Sequence, residues 1–205
     1  TTLFNLLTGF DSPDTGEWRF DGRSMEQIVA NKTASMGMVR TFQLTKSLTK
    51  MSVIENMKLG ATHQVGEKWW NALLPFRWKK QEQIIEQRAD ALLARFKIDH
   101  MRSEYAGTLS GGQRKLLEMA RALMTNPRLV MLDEPMAGVN PALKQSLLEH
   151  IRGLRDEGMT VLFVEHDMDM VNDVSDWVIV MAEGRVIAEG TPAQISANPA
   201  VIEAY

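Results

Sequence analysis

Two short stretches carry residue types suited to phosphate chemistry. Leu129-Val130-Met131-Leu132 is an unbroken apolar run that stops at two adjacent carboxylates, Asp133 and Glu134, followed by Pro135. An apolar run without alternation predicts a strand buried on both faces, as in a parallel sheet covered by helices. Ligands of open α/β sheets sit at the carboxyl ends of the strands, so the two acids stand where a metal–nucleotide would lie. Upstream, Leu109-Ser110-Gly111-Gly112-Gln113 reads as a helix start. Ser110 is a good N-cap, and the two glycines leave backbone N–H groups uncovered. Bare amides at a helix N-terminus favour an anion, phosphate above all.

The elements that must position these residues are legible around them. The helix opened by Ser110 continues through Arg114-Lys115-Leu116-Leu117-Glu118-Met119-Ala120-Arg121-Ala122-Leu123 and ends at Asn126-Pro127. Its expected buried stripe is Leu116, Met119, Ala120 and Leu123, with Arg114, Lys115, Glu118 and Arg121 on a solvated face. Pro141 suits the first turn of a helix running to about Glu157. Met159-Thr160-Val161-Leu162-Phe163-Val164 predicts a second buried strand, ending at Glu165-His166-Asp167. His166 thus holds the same kind of place as Asp133. Before these motifs, residues 1–10 read as a helix burying Leu3, Phe4, Leu6, Leu7 and Phe10, residues 17–20 as a strand with an Asp21-Gly22 hairpin turn, and residues 36–40 as a short strand leading to Thr41-Phe42-Gln43. Residues 46–108 are patterned as helices. Ser52 caps one, and residues 77–96 form a long amphipathic one carrying Ile84, Ile85, Leu92, Leu93 and Phe96. After residue 167 come a short helix, two strands joined by Glu183-Gly184, and a helical end opened by Thr191-Pro192.

The bulk composition bounds the function class. The sequence has 205 residues, 44% hydrophobic and 24% charged, which is enough for one sizeable globular core. Its net charge of −3 argues against a general nucleic-acid binder. It has no cysteine, as suits a reducing compartment, and no apolar run approaching the ~20 residues of a membrane span.

Leu109-Ser110-Gly111-Gly112-Gln113, an Arg-containing helix, and an apolar strand ending Asp133-Glu134-Pro135, in that order and one helix apart, resemble the ATP-binding subunit of an ABC transporter. The resemblance covers the whole chain. Residues 137–141, the Glu165-His166-Asp167-Met168 run and the ending Pro199-Ala200-Val201-Ile202-Glu203-Ala204-Tyr205 are closest to the branched-chain amino acid importer branch. It implies an α/β P-loop NTPase (RecA-like) core with a mostly parallel sheet, an inserted helical subdomain at 46–108, and a remnant of an antiparallel β subdomain, all within one ATPase domain spanning 1–205. It also implies that the glycine-rich phosphate loop and its lysine would precede Thr1, so that the chain is truncated at its N-terminus.

The resemblance assigns ATP and Mg²⁺ as cofactors. It makes Thr1 a Mg²⁺ ligand and Thr2 a donor to the α-phosphate. Asp133 would hold the metal, Glu134 would be the general base, and Gln43 would touch Mg²⁺ and the attacking water. His166 would contact the γ-phosphate. The amides of Ser110, Gly111, Gly112 and Gln113 would serve the ATP of a second ATP-binding subunit, with Asn140 in the loop that crosses to that subunit. Further implied partners are transmembrane permease subunits and, indirectly, a substrate-binding protein, at the cytoplasmic face of the membrane. Two other readings stand beside this one: a soluble non-transport ABC ATPase, and an inactive ABC fragment. The aromatic stretch Trp69-Trp70 to Phe76-Arg77-Trp78 reads either as subdomain packing or as a patch docking a membrane partner.

Overall fold

The computed structural model describes residues 2–26, 28–41, 48–62, 64–65 and 75–204. They fall into two compact units, Thr1–Val164 and Glu165–Tyr205. In chain order the first contains α1 (Thr2–Thr8), β1 (Arg19–Phe20), β2 (Arg23–Ser24), α2 (Ala30–Ser35), β3 (Met38–Arg40), α3 (Val53–Lys58), α4 (Pro75–Arg95), α5 (Gly111–Leu123), β4 (Leu129–Asp133), α6 (Pro141–Asp156) and β5 (Thr160–Val164). The short helix α2 was not expected. No side chain caps it, and its sequence carries no start signal.

The three strands β3, β4 and β5 form a parallel sheet in that order, with Val130 opposite both Val39 and Val161. All residues of β4 are buried, as a central strand requires. The second strand departs from expectation: in β5, Thr160 is exposed and Val161 to Val164 are only half-buried. Among the described residues β5 has a strand on one side only, so it lacks the cover that β4 receives from both neighbours.

Phe4, Met38, Leu129 and Met131 form a core against which Leu7, Trp18, Phe20, Leu162 and Val164 pack. This cluster seats α1 and the β1–β2 hairpin on the sheet. The hairpin turns through Asp21 (φ 51) and Gly22 (φ 74), the two positive-φ residues that a tight I′ turn needs.

Helix α4 buries Ile85, Ala89 and Leu93, and Phe96 just beyond its end continues the stripe at helical spacing; Ile84, expected on this face, lies a helical step away and is 56% exposed. Arg88 Nη2 donates to Leu123 O at 2.8 Å and to Asn126 Oδ1 at 3.3 Å, satisfying a carbonyl that the end of α5 leaves open. Just beyond α4, Phe96 stacks on His150 of α6 with ring centroids 4.4 Å apart, and Arg95, the last residue of α4, pairs with Glu157 at 2.9 Å. Helix α3 starts with a capping box of Ser52 and Glu55.

The second unit contains α7 (Met168–Val174), the antiparallel pair β6 (Val178–Ala182) and β7 (Arg185–Gly190), α8 (Pro192–Ser196) and α9 (Pro199–Ala204). Its core is Val180, Ile195 and Val201. Glu183 (φ 50) and Gly184 (φ 76) make the expected hairpin turn.

Candidate functional site

Asp133 ends β4 opposite Val164 of β5 and is 3% exposed. A bare carboxylate at that depth would be costly. Its counter-charge comes from Arg40, the last residue of β3, whose Nη2 lies 2.8 Å from Asp133 Oδ2 with the two side chains 5% and 1% exposed. Arg40 Nη1 also donates to Asn5 Oδ1 of α1 at 2.7 Å, and its guanidinium lies 5.4 Å from the Phe4 ring centroid. Three elements thus converge on one buried pair. The second oxygen, Asp133 Oδ1, is buried and accepts no hydrogen bond among the described residues.

Glu134 is half-buried and leaves the strand in the left-handed region, at φ 47. Its N–H donates to Val164 O at 3.1 Å, extending the β4–β5 ladder, and its carbonyl accepts from Ala137 N–H at 3.2 Å. Lys115 Nζ donates to the carbonyls of Glu134 at 2.9 Å and Pro135 at 3.0 Å. This corrects the expectation of a solvated face: Lys115 is half-buried and Glu118 is 7% exposed. Helix α5 packs on more than one side, and Leu117 is buried beside the expected stripe.

The α5 N-terminus is a capping box. Ser110 Oγ accepts from Gln113 N–H at 3.3 Å, and Gln113 Oε1 accepts from Ser110 N–H at 2.9 Å. The amides of Ser110 and Gln113 are thus engaged within the chain, leaving those of Gly111 and Gly112 in the first turn. The two glycines differ. Gly111 is exposed, with nothing within 4 Å of a built β-carbon, whereas one built on Gly112 would lie 1.8 Å from Leu143 Cδ2. Gly111 leaves room for an anion; Gly112 lets α6 approach.

Residues 1–137 match the family described as ABC transporter. The chain belongs to that family. Residues 185–205 match a second description, the branched-chain amino acid ATP-binding cassette transporter. A probable branched-chain amino acid transport ATP-binding protein LivG of Archaeoglobus fulgidus is 42% identical over 205 residues, 100% of this chain and 79% of that protein. The high-affinity branched-chain amino acid transport ATP-binding protein BraF of Pseudomonas aeruginosa is 39% identical, over 100% of this chain and 81% of its own length. A crystal structure of the ADP conformation of an ATP-binding cassette of an ABC transporter superposes with a TM-score of 0.84 at 37% identity, over 100% of this chain and 82% of that one.

Within this ABC cassette the described residues bring Asp133, Glu134 and Arg40 together at the strand ends. Asn140 is exposed, and its side chain caps α6 by accepting from Leu143 N–H at 2.9 Å. Thr2 is exposed at the start of α1. His166 belongs to the second unit, where it precedes the Asp167 cap of α7; its side chain is 74% exposed, and its Nδ1 lies 3.9 Å from Glu165 Oε2. Thr1, Gln43 and residues 69–74 of the aromatic stretch lie outside the described residues. Both ends of the segment bearing Gln43 are held, however. Thr41 N–H donates to Met131 O at 2.9 Å, and Leu48 exchanges hydrogen bonds of 2.9 and 3.1 Å with the fully buried Asn56 side chain.

For Mg²⁺, the test is the donor set. Among the described residues no group of three or more His, Asp or Glu could hold a metal. Asp133 offers one buried carboxylate oxygen without a partner. One carboxylate, completed by nucleotide phosphates and water, is a common way of holding Mg²⁺, so Asp133 fits the ion. Sequence reading missed Arg40 and Lys115: a lone basic residue carries no signal until its partner is placed.

Proposed function

We propose that the chain is the ATP-hydrolysing subunit of an importer of branched-chain amino acids, acting as one of two cassettes that close on ATP. The observation that carries this reading is the β4 tip: a buried Asp133 with one uncommitted oxygen, followed by Glu134 on a fixed turn. The substrate class rests on the relatives named above and on the match at residues 185–205.

In this reading Asp133 would hold Mg²⁺, with Thr1 and Gln43 as further ligands. Mg²⁺ bound with the nucleotide would neutralise charge on the phosphates. Glu134 accepts a hydrogen bond from the attacking water and orients it toward the γ-phosphorus, a role that suits an ionised, acceptor-only carboxylate. Gln43 and His166 meet the γ-phosphate, and Thr2 donates to the α-phosphate. The first turn of α5 meets the nucleotide of the second subunit, Gly111 and Gly112 offering amides and Ser110 and Gln113 holding the turn. Asn140 stands in the crossing loop. The helices between residues 46 and 108 receive the permease subunits, and a substrate-binding protein acts through them. The subunit works as a dimer at the cytoplasmic face of the membrane. No helix among the described residues is long and apolar enough to cross one.

The deciding experiment is Glu134→Gln in the assembled ATPase. We expect ATP binding to persist, hydrolysis to fall by at least about 100-fold, and the closed dimer to accumulate. Hydrolysis near the parent rate would refute the role given to Glu134.

A further inference from the structure

Lys115 reaches from α5 into the turn that follows β4. Its ammonium donates to two consecutive carbonyls, Glu134 O at 2.9 Å and Pro135 O at 3.0 Å. The turn needs holding. A non-glycine residue in the left-handed region is strained, and Glu134 sits there at φ 47. Before it, the chain is fixed by the ladder bond from Glu134 N–H to Val164 O. After it, Pro135 has no N–H to offer, so carbonyl acceptors must anchor the turn. Lys115 binds two of them, and Ala137 N–H shares the first at 3.2 Å. Pro135 and Met136 are buried and Lys115 is half-buried, so water competes poorly for these bonds. The lysine also belongs to the helix whose first turn presents Gly111. Four residues, about 6 Å of helix, separate the two.

We propose that Lys115 is a positioning residue for Glu134. It fixes the backbone on which the carboxylate stands, and it does so from the helix that meets the second subunit's nucleotide. The placement of the base in one site is thereby tied to the α5 N-terminus of the other. The proposal rests on reading Glu134 as the general base. It concerns orientation of the base, not nucleotide affinity.

The test is Lys115→Met in the assembled ATPase, which keeps the apolar stem and removes the donors. Misplacement of a reacting group by about 1 Å costs up to 10²-fold. We expect kcat for Mg-ATP to fall by about 10- to 100-fold, with KM within threefold of the parent. We further expect Lys115→Met to add nothing once Glu134 is already Gln, because the group it positions is gone. A kcat loss smaller than tenfold, a KM outside that range, or a further loss in the Glu134→Gln background would each overturn the proposal. Should Lys115→Met not fold, Lys115→Leu, which also lacks a donor, is judged by the same limits. Glu134→Gln measured in parallel separates the two ideas. If it hydrolyses at the parent rate, the base assignment fails. If it is inactive while Lys115→Met is unimpaired, only the role of Lys115 fails.

Discussion

Replacing Arg40 by Met should be among the more damaging single changes in the first unit. The Arg40 and Asp133 side chains are 5% and 1% exposed and 2.8 Å apart, so solvent does little to screen them. Methionine fills much of the arginine stem and removes the guanidinium. Asp133 would then keep a buried charge with neither oxygen paired among the described residues, and Asn5 Oδ1 would lose its donor. Breaking a buried pair from one side typically costs 3–5 kcal/mol, against about 5–15 kcal/mol for a whole domain. In a chain of this size that is a fall in Tm of about 6–20 °C. The assay is denaturant unfolding of the parent, Arg40→Met, Asp133→Asn and the double variant. Because the cost comes from the stranded charge, Asp133→Asn in the Arg40→Met background should restore part of the loss, giving a coupling energy of about 1–3 kcal/mol. Additive effects, or an Arg40→Met cost below about 1 kcal/mol, would refute the reasoning and demote the pair to a solvent-screened contact.

Two further outcomes follow from the packing. Gly112→Ala gains up to about 1 kcal/mol of helix propensity, but its β-carbon would lie 1.8 Å from Leu143 Cδ2 and 3.2 Å from Leu143 Cγ. The forced shift of Leu143 costs about 1–3 kcal/mol, so Gly112→Ala should unfold at lower denaturant than Gly111→Ala, and the reverse order would count against the tight α5–α6 approach. His150 has its pKa held below the ordinary histidine value, first by burial, then by the positive charges of Lys97 and Arg95, with Glu149 opposing. The unfolded chain therefore binds more protons below about pH 6.5, and stability should fall as pH drops through that region. His150→Gln should flatten this part of the Tm–pH curve, and an unchanged curve would mean that another group is responsible.

Much of this architecture was legible because it is written in local patterns. The run 129–132 predicts a doubly covered strand, and Asp21-Gly22 and Glu183-Gly184 predict tight turns. Ser110, Pro141 and Thr191 announced helix starts, and Ser110, Asn140 and Thr191 cap those helices in the structure. What escaped is non-local. Val161 to Val164 look as apolar as β4, yet burial depends on what lies beside a strand, which no periodicity records. Lys115 and Glu118 fall off the apolar stripe of α5, and helical spacing therefore puts them in solvent. Only the arrival of the 134–135 carbonyls on that face turns a surface lysine into a half-buried donor. Gly111 and Gly112 are indistinguishable in sequence and opposite in use, because Leu143 approaches one of them alone.

That approach bears on how a dimer would use this surface. Leu143 lies in the first turn of α6, and its N–H is the group that Asn140 caps. Its side chain fills the space that the missing β-carbon of Gly112 leaves. The starts of α5 and α6 therefore meet at the Leu143 side chain, with Ser110, Gly111, Gly138 and Asn140 all exposed around them. One turn further along α5, Lys115 holds the Glu134 segment. A second subunit pressing on the Ser110–Gln113 turn would bear on Leu143, because a close-packed contact transmits displacement. On the roles proposed for Glu134 and for the α5 turn, engagement of a partner's nucleotide would bear on alignment of the chain's own base through Lys115.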